Sequence, residues 1–386
     1  MYQKLYSIKN ILNLMLFVIA LMSFNISSAA MPVPAPPEVA AKNYLLIDVA
    51  SGKVLAEKSA DEKIEPASIT KLMTAYVVYK EIDAARLSMD DMVDISEKAW
   101  RMGGSRMYLE VNTSVSVHDL MKGLIIQSGN DASVALAEHI AGTEDTFVQM
   151  MNQYATELDM ENTNFENSTG WPDKNHLTTA RDIAKLAVAI IREFPVHYTW
   201  YAEKEYTYND IKQYNRNKLL WRDDTVDGLK TGHTESAGYC LVSSALRSDM
   251  RVVSVVLGTD SEKARASVSQ AVLNYGFRFY ESHTLYGQGE VLSRPRVWKG
   301  EFETLTVGLS EDLAITIPRG AYDNLDATMD IDKNIQAPIS KGQPVGVVKV
   351  SLNGELLESV PLVALETVNE GSLFQIAKDY VLQIIN

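Results

Sequence analysis

From position 66 the chain reads Pro66-Ala67-Ser68-Ile69-Thr70-Lys71, followed by a breaker-free run to Glu81. Proline is favourable at a helix start, so Ser68 and Lys71 are expected to share the first turn of a helix. Residues three apart on a helix lie on one face. A serine hydroxyl is a poor nucleophile until a base takes its proton, and Lys71 stands where such a base must stand. To act as one, it must lose its own proton well below the free-lysine pKa of about 10.4, through burial or a neighbouring cation; Lys230 is the candidate cation. Ser-x-x-Lys occurs once in the chain.

Two further segments extend this pair. Ser128-Gly129-Asn130 reads as a turn opening a helix, where the hydroxyl would relay a proton to a leaving amine and the amide would hold a substrate backbone. Ser-x-Asn alone is weak, since Ser23-Phe24-Asn25 and Ser351-Leu352-Asn353 also satisfy it. Lys230-Thr231-Gly232 lies in a strand-like run and offers a cation, a hydroxyl and a glycine that admits a close backbone approach. Only the three in this order make one acyl-transfer site.

Around these motifs the 386 residues divide by texture. Lys4 and Lys9, the apolar run Ile11 to Met22 and the small residues Ser28-Ala29-Ala30 read as an export signal over residues 1–30. Without it, 34 basic residues face 50 acidic ones, a net charge of −16 that disfavours nucleic acid as partner. The single cysteine, Cys240, excludes an intrachain disulfide and reads as a buried, inert thiol in a strand. No histidine spacing suits a metal, so neither metal nor cofactor is expected.

Strands are expected at 43–48 and 53–57, helices from 117 to about 192 broken by a loop at 162–176, strands at 226–231, 238–245 and 251–258, and a helix at 262–275. This pattern is α+β, a mainly antiparallel sheet with surrounding helices over residues 31–280. Short strands at 305–307, 314–317, 345–352 and 356–365 make residues 281–369 a small all-β domain. In the tail, 370–386, Leu373, Ala377, Tyr380, Val381 and Ile384 share one helical face, with Gln375, Lys378, Asp379 and Gln383 away from it. Such a helix either lies on a membrane surface or docks on its own β domain.

On Pro66 to Lys71, Gln127-Ser128-Gly129-Asn130-Asp131 and Asp227-Gly228-Leu229-Lys230-Thr231-Gly232-His233-Thr234, the sequence resembles the low-molecular-mass penicillin-binding proteins, specifically the D-alanyl-D-alanine carboxypeptidases. The resemblance extends through the β domain and the terminal helix and implies a β-lactamase/transpeptidase-like catalytic domain. It implies that Ser68 forms an acyl-enzyme with Lys71 as base, that Ser128 and Asn130 assist, and that Lys230 and Thr231 orient the peptide. It also implies an oxyanion hole from the backbone N–H groups of Ser68 and His233, and Gly232 as part of the substrate-binding strand. Arg265 matches the position that binds the substrate's terminal carboxylate, and Arg216 another arginine lining the site. Thr169-Gly170-Trp171 departs from the His-Gly that some relatives carry.

The implied reaction is removal of the terminal D-alanine from a peptidoglycan pentapeptide stem, with penicillins and other β-lactams acylating Ser68 as mimics. The implied place is the periplasm, peripheral on the outer face of the inner membrane. Three rivals remain at this point: a serine β-lactamase, for which no Glu-x-x-x-Asn loop is present near 162–176, a D,D-endopeptidase with the same chemistry, and a non-catalytic wall-binding module.

Overall fold

The structure is a computed structural model that describes residues 32–385. The expected export segment lies outside the described residues, as do the side chains of Ile384 and Ile385. The chain enters with a hairpin, β1 (Asn43–Asp48) and β2 (Val54–Lys58). A 3-10 turn at Ala67–Thr70 then runs directly into the helix Lys71–Asp83. Two small hairpins follow, β3 (Met92–Asp94) with β4 (Ser114–Ser116) and β5 (Glu205–Tyr208) with β6 (Ile211–Tyr214). Helices Asn130–Ala141, Glu144–Glu157 and Ala180–Glu193 fill the span between them.

β7 (Val226–Thr234), β8 (Gly238–Arg247) and β9 (Met250–Thr259) form an antiparallel meander. The first hairpin adds to it along β9, giving the order β2-β1-β9-β8-β7 with β7 at the edge. β9 reads as a near-continuous apolar run because the sheet is covered on both sides. Val253 and Val255 enter the core shared with the helical middle of the chain, while Val252 and Val256 enter the core under the helix Glu262–Phe279. This bears out the α+β reading, and Cys240 is buried in β8 as expected.

Tyr280 continues from that helix into β10 (Tyr280–Tyr286), which precedes β11 (Val307–Gly308) and pairs with β12 (Leu313–Pro318). β13 (Leu325–Ile331), β14 (Pro344–Leu352) and β15 (Glu355–Ala364) complete a four-stranded sheet, β11-β15-β14-β13, around a separate apolar core. The junction between the two cores is polar: Lys53 Nζ donates to the Thr316 carbonyl at 3.0 Å and Ser282 Oγ to Asp48 Oδ1 at 3.2 Å.

The terminal helix, Leu373–Ile385, docks with the face expected to be its polar one. Asp379 is 1 % exposed and accepts from the Lys299 N–H at 2.7 Å and from Arg296 Nη2 at 3.0 Å. Asp379 thus lies away from the apolar face, as expected, on the side that docks: a carboxylate can be buried where a guanidinium and a backbone N–H meet it. Leu373 and Phe374 remain 87 % and 80 % exposed, and Tyr380 and Val381 also point outward. No helix among the described residues is long and apolar enough to cross a membrane.

Candidate active site

Ser68 lies in the 3-10 turn Ala67–Thr70 and not in the first α-helical turn, which begins at Lys71; Ala67, just before Ser68, takes a left-handed φ of 49°. Ser68 is half-buried and lines a cleft of about 800 Å³, together with Ser128, Asn130, Thr231, Gly232, His233, Arg216 and Arg265. Lys71 is 1 % exposed, and its Nζ sits 3.2 Å from Ser68 Oγ. The same nitrogen donates to Asn130 Oδ1 at 2.7 Å and to the Thr169 carbonyl at 2.6 Å. A neutral amine has two N–H bonds, so these acceptors occupy both and leave its lone pair for the serine proton. Burial brings the Lys71 pKa down to about 7; Asp131 opposes the fall and Arg216 adds to it.

Lys230 was the cation expected to depress Lys71. Burial dominates the fall, Arg216 adds to it, and the repulsion between the two buried lysines is felt at Lys230. Lys230 is itself buried and held well below its ordinary value, first by desolvation and then by Lys71, Arg216 and Arg265. Its Nζ donates to Ser128 Oγ at 2.7 Å and to its own strand at the Thr231 carbonyl, 3.0 Å away. Two buried amines thus face two hydroxyls, one pair on each side of the cleft.

Local backbone explains how these groups converge. The helix starting at Val117 loosens into a π-turn at Gly123–Gln127 and stops at Ser128, whose φ of 67° is left-handed. Asn130 then opens the next helix, and its Nδ2 donates to the Gly103 carbonyl at 2.8 Å. One amide oxygen on Lys71 and one N–H on Gly103 make Asn130 chiefly a clamp between the base and the cleft's rim. Gly232 was expected to admit substrate to the backbone. Gly232 lines the cleft, and its bare Cα also admits the chain itself: a Cβ there would stand 3.0 Å from the Pro66 carbonyl and 3.1 Å from Ile69 Cγ1, so β7 packs against the serine turn.

Arg265, in the first turn of the Glu262–Phe279 helix, is buried with Nη1 3.3 Å from the Gly232 carbonyl and Nη2 3.5 Å from Glu262. Arg216 is exposed at the cleft between two buried asparagines, which pin its backbone: Asn215 Nδ2 donates to the Glu203 carbonyl and Asn217 Nδ2 to that of Gly228. The His233 ring lies on Tyr239, centroids 3.9 Å apart. Among the described residues no cluster of His, Cys, Asp and Glu could hold a metal.

Sequence reasoning missed four contributors. Thr169 serves through its carbonyl, which any residue supplies, so its identity carried no signal. Gly170 has φ 84°, and a Cβ on it would fall 1.8 Å from the Ala67 carbonyl, so only glycine brings this loop against the serine turn. His176 accepts from the Glu166 N–H at Nδ1, 3.3 Å, and therefore donates from Nε2 to Thr70 Oγ1 at 2.9 Å. Burial holds its pKa at about 4, so it is neutral and braces the residue beside Lys71. Asp131 accepts from the N–H groups of Met107, Tyr108 and Leu109 and shapes the cleft's near wall.

A serine with a buried neutral lysine against it, a second hydroxyl–amine pair and two arginines over the cleft define a serine acyl-transfer hydrolase acting on an anionic substrate. Residues 30–261 match the family model described as D-alanyl-D-alanine carboxypeptidase, and residues 280–370 match that of the penicillin-binding protein 5 C-terminal domain. The chain is 44 % identical over 354 residues to the D-alanyl-D-alanine carboxypeptidase DacC of Escherichia coli K12, covering 90 % of this chain and 88 % of that one. Penicillin-binding protein 5 of Haemophilus influenzae superposes with a TM-score of 0.82 at 42 % identity, covering 87 % of this chain and all of that one. The DacD carboxypeptidase of Francisella tularensis gives 0.71 at 34 % identity over 90 % and 99 %. The chain belongs to the D-alanyl-D-alanine carboxypeptidase family. It is a serine-type peptidase of peptidoglycan metabolism.

Proposed function

We propose that the protein removes the terminal D-alanine of a peptidoglycan pentapeptide stem through an ester on Ser68, with Lys71 as the base. The observation that carries this assignment is the Lys71 amine: two acceptors take its hydrogens and its remaining direction faces Ser68 Oγ at 3.2 Å. In the first step Ser68 Oγ bonds to the penultimate D-alanyl carbonyl carbon as its proton passes to Lys71. The C–N bond then breaks, and Ser128, hydrogen-bonded to Lys230, relays the proton that Lys71 took to the departing amine, which leaves Lys71 neutral and Ser128 a hydroxyl again. The oxyanion meets the N–H groups of Ser68 and His233, the first of which lies in a helical first turn where no intrahelical acceptor exists. Arg265 takes the terminal carboxylate, and water completes the cycle.

β-Lactams acylate the same serine in this reading, as the ampicillin-bound state named for a relative from Listeria monocytogenes suggests. Of the two glutamates that line the cleft, Glu235 and Glu262, Glu262 is turned towards Arg265 at 3.5 Å. A long-lived penicilloyl ester separates this enzyme from a β-lactamase. Incubating the protein with a D-Ala-D-Ala pentapeptide should release D-alanine, with Ser68→Ala abolishing both release and penicillin labelling. Labelling of Ser68→Ala at the parent rate would sink the assignment.

The place of action in this proposal is the periplasmic face of the inner membrane. Two features support it: the basic and apolar opening of the chain from Lys4 to Met22, and the terminal helix, whose Leu373, Phe374, Tyr380 and Val381 face outward while Asp379 fastens the other side to the β domain.

A further inference from the structure

We propose that Trp171 is a positioning residue for the catalytic base: its indole braces the two loops that supply the acceptors of the Lys71 amine and keeps water from replacing either acceptor. The inference rests on the reading above, in which Lys71 takes the Ser68 proton.

The two acceptors come from different parts of the chain. The Thr169 carbonyl belongs to the turn 167–171 and the Asn130 amide to the start of the helix Asn130–Ala141, and they meet Lys71 Nζ at 2.6 Å and 2.7 Å. An amine held between two loops keeps its lone pair on Ser68 only while both stay in place.

Trp171 is fastened to the first of them. Asn167 Oδ1 accepts from the N–H groups of Thr169 at 3.2 Å, Gly170 at 2.8 Å and Trp171 at 2.9 Å, and Asn167 Nδ2 donates to the Trp171 carbonyl at 2.9 Å. The backbone of Trp171 is thus part of the turn that aims the Thr169 carbonyl at Lys71.

Its ring reaches the second. The outer edge of the indole lies against Gly103 and Gly104, where an added Cβ would stand 3.6 Å from Cη2 and 3.6 Å from Cζ3 respectively. Gly103 in turn holds Asn130, whose Nδ2 donates to its carbonyl at 2.8 Å. Gly104 has φ 74°, and a Cβ there would lie 2.9 Å from the same Nδ2, so glycine lets this loop close on the amide. One residue therefore links both acceptors from the mouth of the cleft, where it is 52 % exposed.

Displacing either acceptor lets water take its place, and water favours the ammonium form. Among the described residues, the charged and titratable groups that face the amine are Asp131 beside Asn130, Arg216 at the cleft, Lys230 on β7 and the neutral His176 behind Thr70. All four stay when Trp171 is replaced, so a change in the proton affinity of the amine reports its hydration.

The test measures acylation of the full-length protein by a labelled penicillin from pH 5 to 10, over a range of penicillin concentrations, with circular dichroism to confirm folding. In Trp171→Ala the inflection of the saturating rate should move up by about one pH unit. At pH 7 the neutral fraction then falls from about a half to about a tenth and the rate about fivefold, whereas at pH 9 about nine-tenths stays neutral and the rate stays near the parent's. The penicillin concentration giving half the maximal rate should change less than about twofold. Trp171→Phe, whose ring reaches less far than the outer edge of the indole, should behave as Trp171→Ala does, whereas a ring needed only to stack on the ligand would be restored by Phe. An inflection unmoved in both variants, a loss equal at pH 7 and pH 9, or parent behaviour in Trp171→Phe overturns the brace and leaves Lys71 as the base. A parent rate without an inflection from pH 5 to 9 overturns both.

Discussion

Lys71 carries a sharp kinetic prediction. With a pKa of about 7, the amine is roughly half neutral at pH 7, about 1 % neutral at pH 5 and almost wholly neutral at pH 9. If the neutral form removes the Ser68 proton, the second-order rate of acylation by a labelled penicillin should rise about fifty-fold from pH 5 to 7 and only about twofold from 7 to 9. An unperturbed lysine would give a different curve, climbing about tenfold per unit through pH 10. Because the fall comes chiefly from burial, opening the pocket should move the midpoint: Asn130→Gly removes an acceptor and admits water, so the inflection should shift upward as the rate at pH 7 drops. Lys71→Arg, which cannot shed its proton at any of these values, should lose several powers of ten in rate together with the inflection. Rapid-quench labelling across this range, with circular dichroism to confirm that each variant is folded, gives the answer. A parent rate flat from pH 5 to 9, or still climbing tenfold per unit above pH 8, refutes the neutral-lysine mechanism.

Arg265→Ala removes one charge-assisted contact worth about 1.5–3 kcal/mol, so turnover of a free-acid peptide should fall about ten- to a hundred-fold while its amide is little affected; an unchanged acid-to-amide preference would show that Arg265 does not read the carboxylate. Gly170→Ala places a methyl 1.8 Å from the Ala67 carbonyl at a left-handed φ, so the serine turn must shift, and penicillin labelling should drop far more than the melting temperature; labelling at the parent rate counts against this packing role. Deleting 370–386 should release the protein from membranes into the soluble fraction with turnover of a small peptide nearly unchanged, because the helix is fastened to the β domain, at Arg296, Lys299, Glu303 and Asn334. Since Leu373, Phe374, Tyr380 and Val381 drive attachment, salt should weaken it little; a full-length protein already soluble at low salt would refute the anchor.

Some of this was present in the order of residues. The three motifs, the α+β texture with its later all-β segment and the amphipathic period of the tail are local patterns, set by which side chains recur at which spacing and by what a nucleophile and base require of neighbouring positions. The two expected arginines also fall at the cleft, on flanks recognisable as Asn215-Arg216-Asn217 and Lys263-Ala264-Arg265. The β5–β6 hairpin was overlooked although Glu205-Tyr206-Thr207-Tyr208 alternates and Asn209-Asp210, both at positive φ, make a two-residue turn; its second strand buries only the polar Gln213, which hid the pattern. Tertiary structure alone decided what each group does. Gly232 packs on the serine turn, Thr169 acts through a carbonyl, and His176 is neutral because burial, a property of the assembled core, sets its proton affinity. The same holds for Asp379: helical spacing assigns it a polar face, but only the approach of Arg296 and the Lys299 N–H makes that face the buried one. Spacing along a chain fixes which residues can be neighbours locally, whereas desolvation and close approach depend on what the rest of the fold brings against them.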